Sequence, residues 1–285
     1  MATDALGSNA DRLVRSRLAA TVTPTAANRA AAPDGRLEVL PGQGGIALGI
    51  RLGEPALARR GDHVEPGLSL ALAEPAANRA LQVLSCVGNP VELLDGPARG
   101  ARGLVFGKHG AVLAALPQEA LALAAPGDRV AVEARGAGLA LGAAPEVTCL
   151  SLSPELALAW LARGADGRLR VPVAAELPAE AAAAGIGMPA QRFNMDLHSD
   201  QPPMAALCAT LAFGDLVAVR DQDHRYARSH RRGWLAVGVI CHGSTIAGGH
   251  GLGLMTLLTG PASAIALEPS PEANVARLMG QWGTL

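Results

Sequence analysis

The chain has 285 residues, a formal net charge of −1, and a composition that is 49% hydrophobic and 17% charged. That balance excludes a basic surface for nucleic acid or anionic lipid and argues against disorder outside the termini. No apolar run reaches the length of a membrane span, and the N-terminus lacks the charged head, apolar core and cleavage site of a signal peptide, so a cytoplasmic address is expected.

The elements follow in chain order. Residues 1–35 are Ala-rich, with one short helix over 11–19 before Pro24, Pro33 and Gly35 break the pattern, and read as a flexible arm for contact between copies. From Arg36 short apolar runs alternate with Gly, Pro and Asp turns, which places strands at 37–40, 46–52, 68–72, 81–87, 103–106 and 111–115. A short helix over 117–124 ends at Pro126-Gly127. The phrase Gly127-Asp128-Arg129-Val130-Ala131-Val132 then opens a strand, and Gly214-Asp215-Leu216-Val217-Ala218-Val219 repeats it. Ser153-Pro154-Glu155 starts a helix with an N-cap, a first-turn proline and an acid. Further short helices are expected at 178–184, 203–211 and 271–279, and strands at 234–241 and 255–258. The sum is a β-rich α+β protein of two β lobes, barrel- or sandwich-like, with short helices between strands. The lobes span 36–170 and 171–285, and the second carries the His/Asp loops.

Cys86, Cys149, Cys208 and Cys241 form no CxxC pair and read as buried small hydrophobes. Of the 24 Lys and Arg residues only Lys108 is a lysine, which suggests a place where a compact ammonium is needed and a guanidinium does not fit.

Imidazoles and carboxylates crowd a few Gly-rich stretches. Four of the seven histidines, His224, His230, His242 and His250, fall within 224–250. Imidazole titrates near neutrality and can donate, accept or ligate. Asp221 and Asp223, two apart on an extended segment, share a face and can orient a histidine, hold a metal, or divide as acid and base. His242 closes an apolar strand. In Gly248-Gly249-His250-Gly251 the glycines free backbone amides to hold an oxyanion or carboxylate.

Upstream, Gly61-Asp62-His63-Val64-Glu65-Pro66-Gly67 carries two acids around an imidazole. Strict alternation puts Glu65 on the His63 face and Asp62 on the other. Gly107-Lys108-His109-Gly110 and Cys86-Val87-Gly88-Asn89 each end a strand, and Asn194-Met195-Asp196-Leu197-His198-Ser199-Asp200 is a third polar patch. There is no GxGxxG after a first strand, no P-loop, no GxSxG elbow and no HExxH, which disfavours nicotinamide redox chemistry and phosphoryl transfer and leaves proton transfer, with or without a metal.

Taken in order, these motifs resemble the bacterial family known as domain of unknown function 4438, from about Gly35 to Asn274. The resemblance also rests on Pro41-Gly42-Gln43-Gly44-Gly45-Ile46, Asn78-Arg79-Ala80-Leu81 and Asp221 to Tyr226. The family name implies no activity. More loosely, the His-Gly loops are similar to those of acetamidase and formamidase proteins, β-rich amide hydrolases. Two positions depart from the family pattern. Its usual Asp-Tyr-Asp is Asn194-Met195-Asp196 here, which removes a carboxylate and makes that wall more apolar, and the Pro usual inside its Gly-x-Gly loop is Leu252.

Three readings follow. The first is a cofactor-independent lyase or cyclase, in which a β-hydroxycarbonyl is dehydrated, with or without ring closure by conjugate addition. His242 or His250 takes the α proton, Asp221 or Asp223 orients it, His224 and His109 assist, and Lys108 with loop amides stabilises the enolate. His63, Asp62, Glu65, Tyr226, Asn89, Gly249, Gly251 and Met195 line the substrate site. The second is a metal-dependent amide hydrolase with ligands drawn from His63, Asp223, His242 and His250. The third is a binding protein without turnover. All three take a small molecule, and edge strands with the N-terminal arm suggest a homo-oligomer.

Overall fold

Period-two alternation along six strands closes a barrel. The computed structural model describes residues 5–26, 28–31, 34–199, 202–245, 250–281 and 283–285. The barrel strands are β1 (Ser16–Val22), β2 (Gly67–Ala71), β3 (Pro90–Leu93), β4 (Arg102–His109), β5 (Ala111–Ala115) and β6 (Arg129–Ala134). They pair antiparallel in the order β1-β6-β3-β4-β5-β2, and β2 returns to β1 with Thr21 opposite Ala71. Alternate residues such as Leu68 and Leu70, Val91 and Leu93, Val130 and Val132 fill the interior. Closure leaves these strands few free edges.

The second lobe is a sheet of β7 (Thr148–Cys149), β8 (Ala175–Leu177), β9 (Met195–Asp196), β10 (Leu216–Asp223), β11 (Ser229–His242) and β12 (Gly253–Pro261). Its order is β7-β12-β11-β10-β8, with β9 also on β12. Strands β4 and β5 are apolar on both faces. Val105 and Val112 point into the barrel, whereas Phe106 and Leu113 join the core of the second lobe. At that seam Gly107 meets Cys241 so closely that a β-carbon on it would lie 2.3 Å from the Cys241 Cβ. The fold is thus the expected β-rich α+β type with two lobes and short helices. Among the described residues no helix is long and apolar enough to cross a membrane, and all four cysteines are free.

Three expectations change. The expected arm contains a full barrel strand: β1 pairs with β6 from Ser16 opposite Ala134 to Thr21 opposite Arg129, and buries Ala20 and Val22. The helix expected at 11–19 shrinks to the turn Ala10–Arg12. The strand expected at 81–87 is instead the end of helix α1 (Pro75–Leu84). The Glu74 carboxylate accepts from the Ala76 and Ala77 amides, and Pro75 opens the first turn. The recurring Gly-Asp phrase opens β6 and β10 as read.

Candidate functional site

Three adjacent strand ends build half of the site. Gly253 at the start of β12 is the register partner of both Asp196 on β9 and His242 on β11. An irregularity between Ile240 and His242 re-aims the end of β11. Because Gly253 has no side chain, the His242 ring folds across it and brings Nε2 to 3.4 Å from Asp196 Oδ1. His242 Nδ1–H donates to the Gly243 carbonyl at 2.7 Å, so the neutral ring presents a lone pair at Nε2. The Asn194 amide donates to that lone pair at 2.6 Å and to Asp196 Oδ1 at 3.0 Å. One amide thereby satisfies two acceptors that would otherwise face each other.

The other half comes from the barrel. His63 has φ +50°, a left-handed conformation uncommon for a residue with a side chain. That twist breaks the expected alternation. Asp62 and His63 turn to the same side, and His63 Nδ1–H donates to Asp62 Oδ1 at 2.8 Å. Glu65 holds a different ring: His109 Nδ1–H donates to its Oε1 at 2.6 Å, while its Oε2 accepts from the Gly44 amide and the Ser69 hydroxyl. The Gly243 amide donates to the Val64 carbonyl at 2.9 Å and fastens the two halves together.

Four imidazoles converge as a result. Ring centroids are 4.3 Å apart for His109 and His242, 4.8 Å for His63 and His109, 5.0 Å for His63 and His242, and 5.2 Å for His63 and His250. Burial, with His242 and His109 alongside, pushes His63 down to about 4 against the pull of Asp62. Burial and His109 push His242 down as well. Burial raises Asp196, but its hydrogen bond with His242 and the electrostatic pull of the neighbouring imidazoles outweigh this and hold the carboxyl below its usual value. His63 and His242 are therefore held neutral and the Asp196 carboxylate ionised, the protonation states a metal ligand needs.

The donor set fits a small divalent cation. One ligand atom each from His63, Asp196 and His250 lie within 4.8 Å of one another. His250 Nδ1 is 3.2 Å from His63 Nε2 and 3.2 Å from Asp196 Oδ2. A tetrahedral ion with bonds of about 2.0–2.1 Å has ligand–ligand edges of roughly 3.3 Å. A single N–H on His250 points at only one of its two neighbours, whereas a cation engages all three. Asp62 behind His63, Glu65 behind His109 and the Gly243 carbonyl behind His242 are the outer partners that fix the tautomers of histidines around metals. His250 is about half exposed, with its side chain at 48%, and gives the cluster its opening.

Of the residues singled out in the sequence, His63, Asp62, Glu65, His109, His242 and His250 come together. Gly251 belongs with them, since a β-carbon there would strike the Leu197 carbonyl, and its absence lets the His250 loop lie on the Asp196 strand. Gly249 lies outside the described residues. The remaining assignments do not join the cluster. Asp221 adopts φ +55° and accepts from the Gly233 amide. Asp223 is bound by Arg225 and Arg231. Burial raises its carboxyl, but the two guanidinium groups win and hold it at about 2. His224 Nδ1 pairs with Thr256 Oγ1, and Tyr226 is exposed.

Lys108 is wholly buried and donates from Nζ to Ser151 Oγ and the Gln191 carbonyl. The compact ammonium is used in the core, where burial lowers it to about 8. Asn89 ties the Cys86 turn to Arg135, and Met195 is core. The places beside the imidazoles expected for Asp221 and Asp223 are occupied by Asp62, Glu65 and Asp196. Asn194 and Asp196 share one side of a short extended segment, opposite Met195. That two-residue spacing within the third polar patch was the available signal.

Comparison with known proteins bears on the whole chain. The family "Domain of unknown function (DUF4438), N-terminal" matches residues 30–158, and "Domain of unknown function (DUF4438), C-terminal" matches residues 159–279. The crystal structure of TM1086 is similar over 95% of this chain and 98% of that one, with 33% sequence identity and a TM-score of 0.88. No curated protein matches. The boundary at 158/159 separates His63 and His109 from Asp196, His242 and His250, so each half supplies part of the site.

Proposed function

The chain belongs to the DUF4438 family, a membership that names no reaction, and from the site geometry we propose that it is a metal-dependent hydrolase of a small carbonyl compound, an amide in the first instance. The observation that carries this reading is His250 Nδ1 placed 3.2 Å from both His63 Nε2 and Asp196 Oδ2. These three atoms would hold the ion. When bound, the ion supplies Lewis-acid activation of water and of the substrate carbonyl. The choice of an amide follows the looser likeness of the His-Gly loops to acetamidase and formamidase proteins.

The chain's own residues then divide the work. His63 and His242 are kept neutral by burial; the His63 Nε2 lone pair faces His250 and the ion site, while that of His242 accepts from the Asn194 amide. The Glu65–His109 pair moves the proton: Glu65 fixes the ring through Nδ1, leaves Nε2 as the base, and complements the charge gained on taking a proton. Asn194 keeps the Nε2 of His242 and the Asp196 carboxylate apart by donating to each. The reading carries a small-molecule substrate and a cytoplasmic address. Exposed Leu37 and Val39 on the two-stranded ribbon Asn28–Ala31 and Leu37–Leu40 support self-association.

One observation favours the metal-free lyase or cyclase as a second reading. Asp62, His63, His250 and Asp196 form a continuous chain with separations of 2.8, 3.2 and 3.2 Å, which passes through the half-exposed ring of His250. There His250 takes the α proton and Asp62 acts through His63, while Lys108 has no part because its ammonium faces Ser151 and Gln191. Assays of metal-loaded and chelator-treated protein, on a short-chain amide and on a β-hydroxycarbonyl compound, separate the two. Metal-dependent ammonia release supports the hydrolase, and water elimination indifferent to chelation replaces it with the lyase.

A further inference from the structure

Arg228 stands in the interior beside the imidazole cluster with most of its hydrogen-bonding capacity unused. It is 1% exposed. Its backbone is tied to the neighbouring loop, where the amide donates to the Met188 carbonyl and the carbonyl accepts from Gly187. Its side chain is threaded past Gly185, where a β-carbon would lie 2.4 Å from Nη1. Nη1 donates to the Gly185 carbonyl at 3.3 Å, whereas Nε and Nη2 have no partner among the described residues. Those two nitrogens form the edge with which arginine grips a planar anion through two parallel bonds.

A buried guanidinium with that edge unmatched is an ion whose desolvation no hydrogen bond to that edge offsets among the described residues. Burial pushes Arg228 down to about 10 against the pull of the Asp196 carboxylate. Nε2 of His224 is also buried and unpartnered among the described residues. Its Nδ1 lies 2.8 Å from the Thr256 hydroxyl, and the ring is close enough to Arg228 to feel its charge. With the Thr256 hydroxyl donating to Nδ1, Nε2–H becomes a third donor.

We propose that Arg228, assisted by His224, binds one carboxylate group borne by the substrate. The inference rests on the hydrolase reading and narrows it to amides that carry a carboxylate. The charge count selects a monoanion. One guanidinium edge beside a single imidazole N–H offers one positive charge and three donors, which matches a carboxylate rather than a phosphate dianion. The position explains why so polar a residue is enclosed in the connection just before β11, and it gives the Asp221–Tyr226 motif a task outside the imidazole cluster.

The test is thermal denaturation of the full chain with sodium acetate, sodium phosphate or acetamide at equal ionic strength. Arg228→Met, Arg228→Lys and His224→Asn are compared with wild type, and metal content is measured on the same samples. Acetate is expected to raise the wild-type Tm, with phosphate and acetamide giving smaller shifts or none. The concentration of acetate needed should rise about tenfold or more in Arg228→Met, as for a lost charge-assisted bidentate contact, and less in Arg228→Lys. Should Arg228→Met fail to fold, His224→Asn carries the test through a several-fold weaker response. Acetate acting equally on wild type and variants, no acetate response in wild type, or a stronger response to phosphate would overturn the proposal. Loss of the acetate response with metal retained counts for this site alone, and an acetate response in protein that takes up no metal counts against the hydrolase reading alone.

Discussion

Gly253 lies beneath the imidazole of His242, so closely that a β-carbon on it would stand 2.1 Å from the ring's Cδ2 and Nε2. No side chain shares that space, and the ring is fully buried, so it has nowhere to retreat without dismantling its contacts with Asn194 and the Gly243 carbonyl. Gly253→Ala is therefore expected to cost about 1–3 kcal/mol of stability, as overpacking of a dense interior does, and to abolish turnover. Chemical denaturation together with an activity assay checks this. A variant as stable and as active as wild type would mean that His242 is not held where described.

Glu65 is buried and meets His109 Nδ1 at 2.6 Å while its other oxygen is fixed by Gly44 and Ser69. Glu65→Gln keeps the shape but removes the charge that complements a protonated His109. Turnover is expected to fall roughly 10–100-fold, the usual effect of losing an outer partner at such a site, with the fold intact by circular dichroism. Unchanged kcat would remove the Glu65–His109 pair from the mechanism.

Asn194 stands where the resemblance read from the sequence implies a carboxylate. Its amide separates two acceptors, His242 Nε2 and Asp196 Oδ1. An aspartate there cannot donate to either, and the three acceptors would call for a cation between them. Asn194→Asp is expected to tighten divalent-ion binding by about tenfold, read by competition with a chromogenic chelator. Weaker binding in the variant would contradict the assignment of this amide.

The pH dependence of stability follows from two buried imidazoles. Burial, with Arg228 nearby, holds His224 at about 3, and burial with His242 and His109 holds His63 at about 4, both below 6.5. Between those values and about 6.5 the unfolded chain binds more protons than the folded one, so stability declines as pH falls through that window. Tm measured from roughly pH 7.5 down to 5 should drop, with a shallower slope in His224→Gln, which no longer titrates. An equal slope in the variant would show that His224 is not held neutral by the fold.

Much of the scaffold was legible in local pattern. The Gly-Asp phrases open β6 and β10, and the apolar run before His242 is a strand. The misreadings had physical causes. Leu81 to Leu84 is apolar enough for a strand, but the cap at Glu74 and Pro75 decided for a helix. Ser16–Val22 sits in a segment whose composition resembles a tail, and only barrel closure reveals it as a strand.

At the site, His242 and His250 came from the main histidine cluster and His63 and His109 from upstream Gly-rich stretches, whereas His224 of that cluster pairs with Thr256 instead. The carboxylate partners of the site histidines were less legible. Asp62 was placed opposite His63 by an alternation that a left-handed residue cancels. Asp221 and Asp223 looked stronger than Asp196 because they neighbour more histidines in sequence. Arginines claim Asp223 and a backbone amide claims Asp221, whereas Asp196 reaches the cluster through register across Gly253.

The most direct measurement is elemental analysis of protein purified without chelators, with Asp196→Asn and His250→Ala prepared in parallel. Stoichiometric divalent metal in the wild type, lost from both variants while their folds persist, is the predicted result. A wild-type chain that neither retains nor takes up zinc, manganese or a similar ion at micromolar concentration would leave His63, Asp196 and His250 without the role assigned to them.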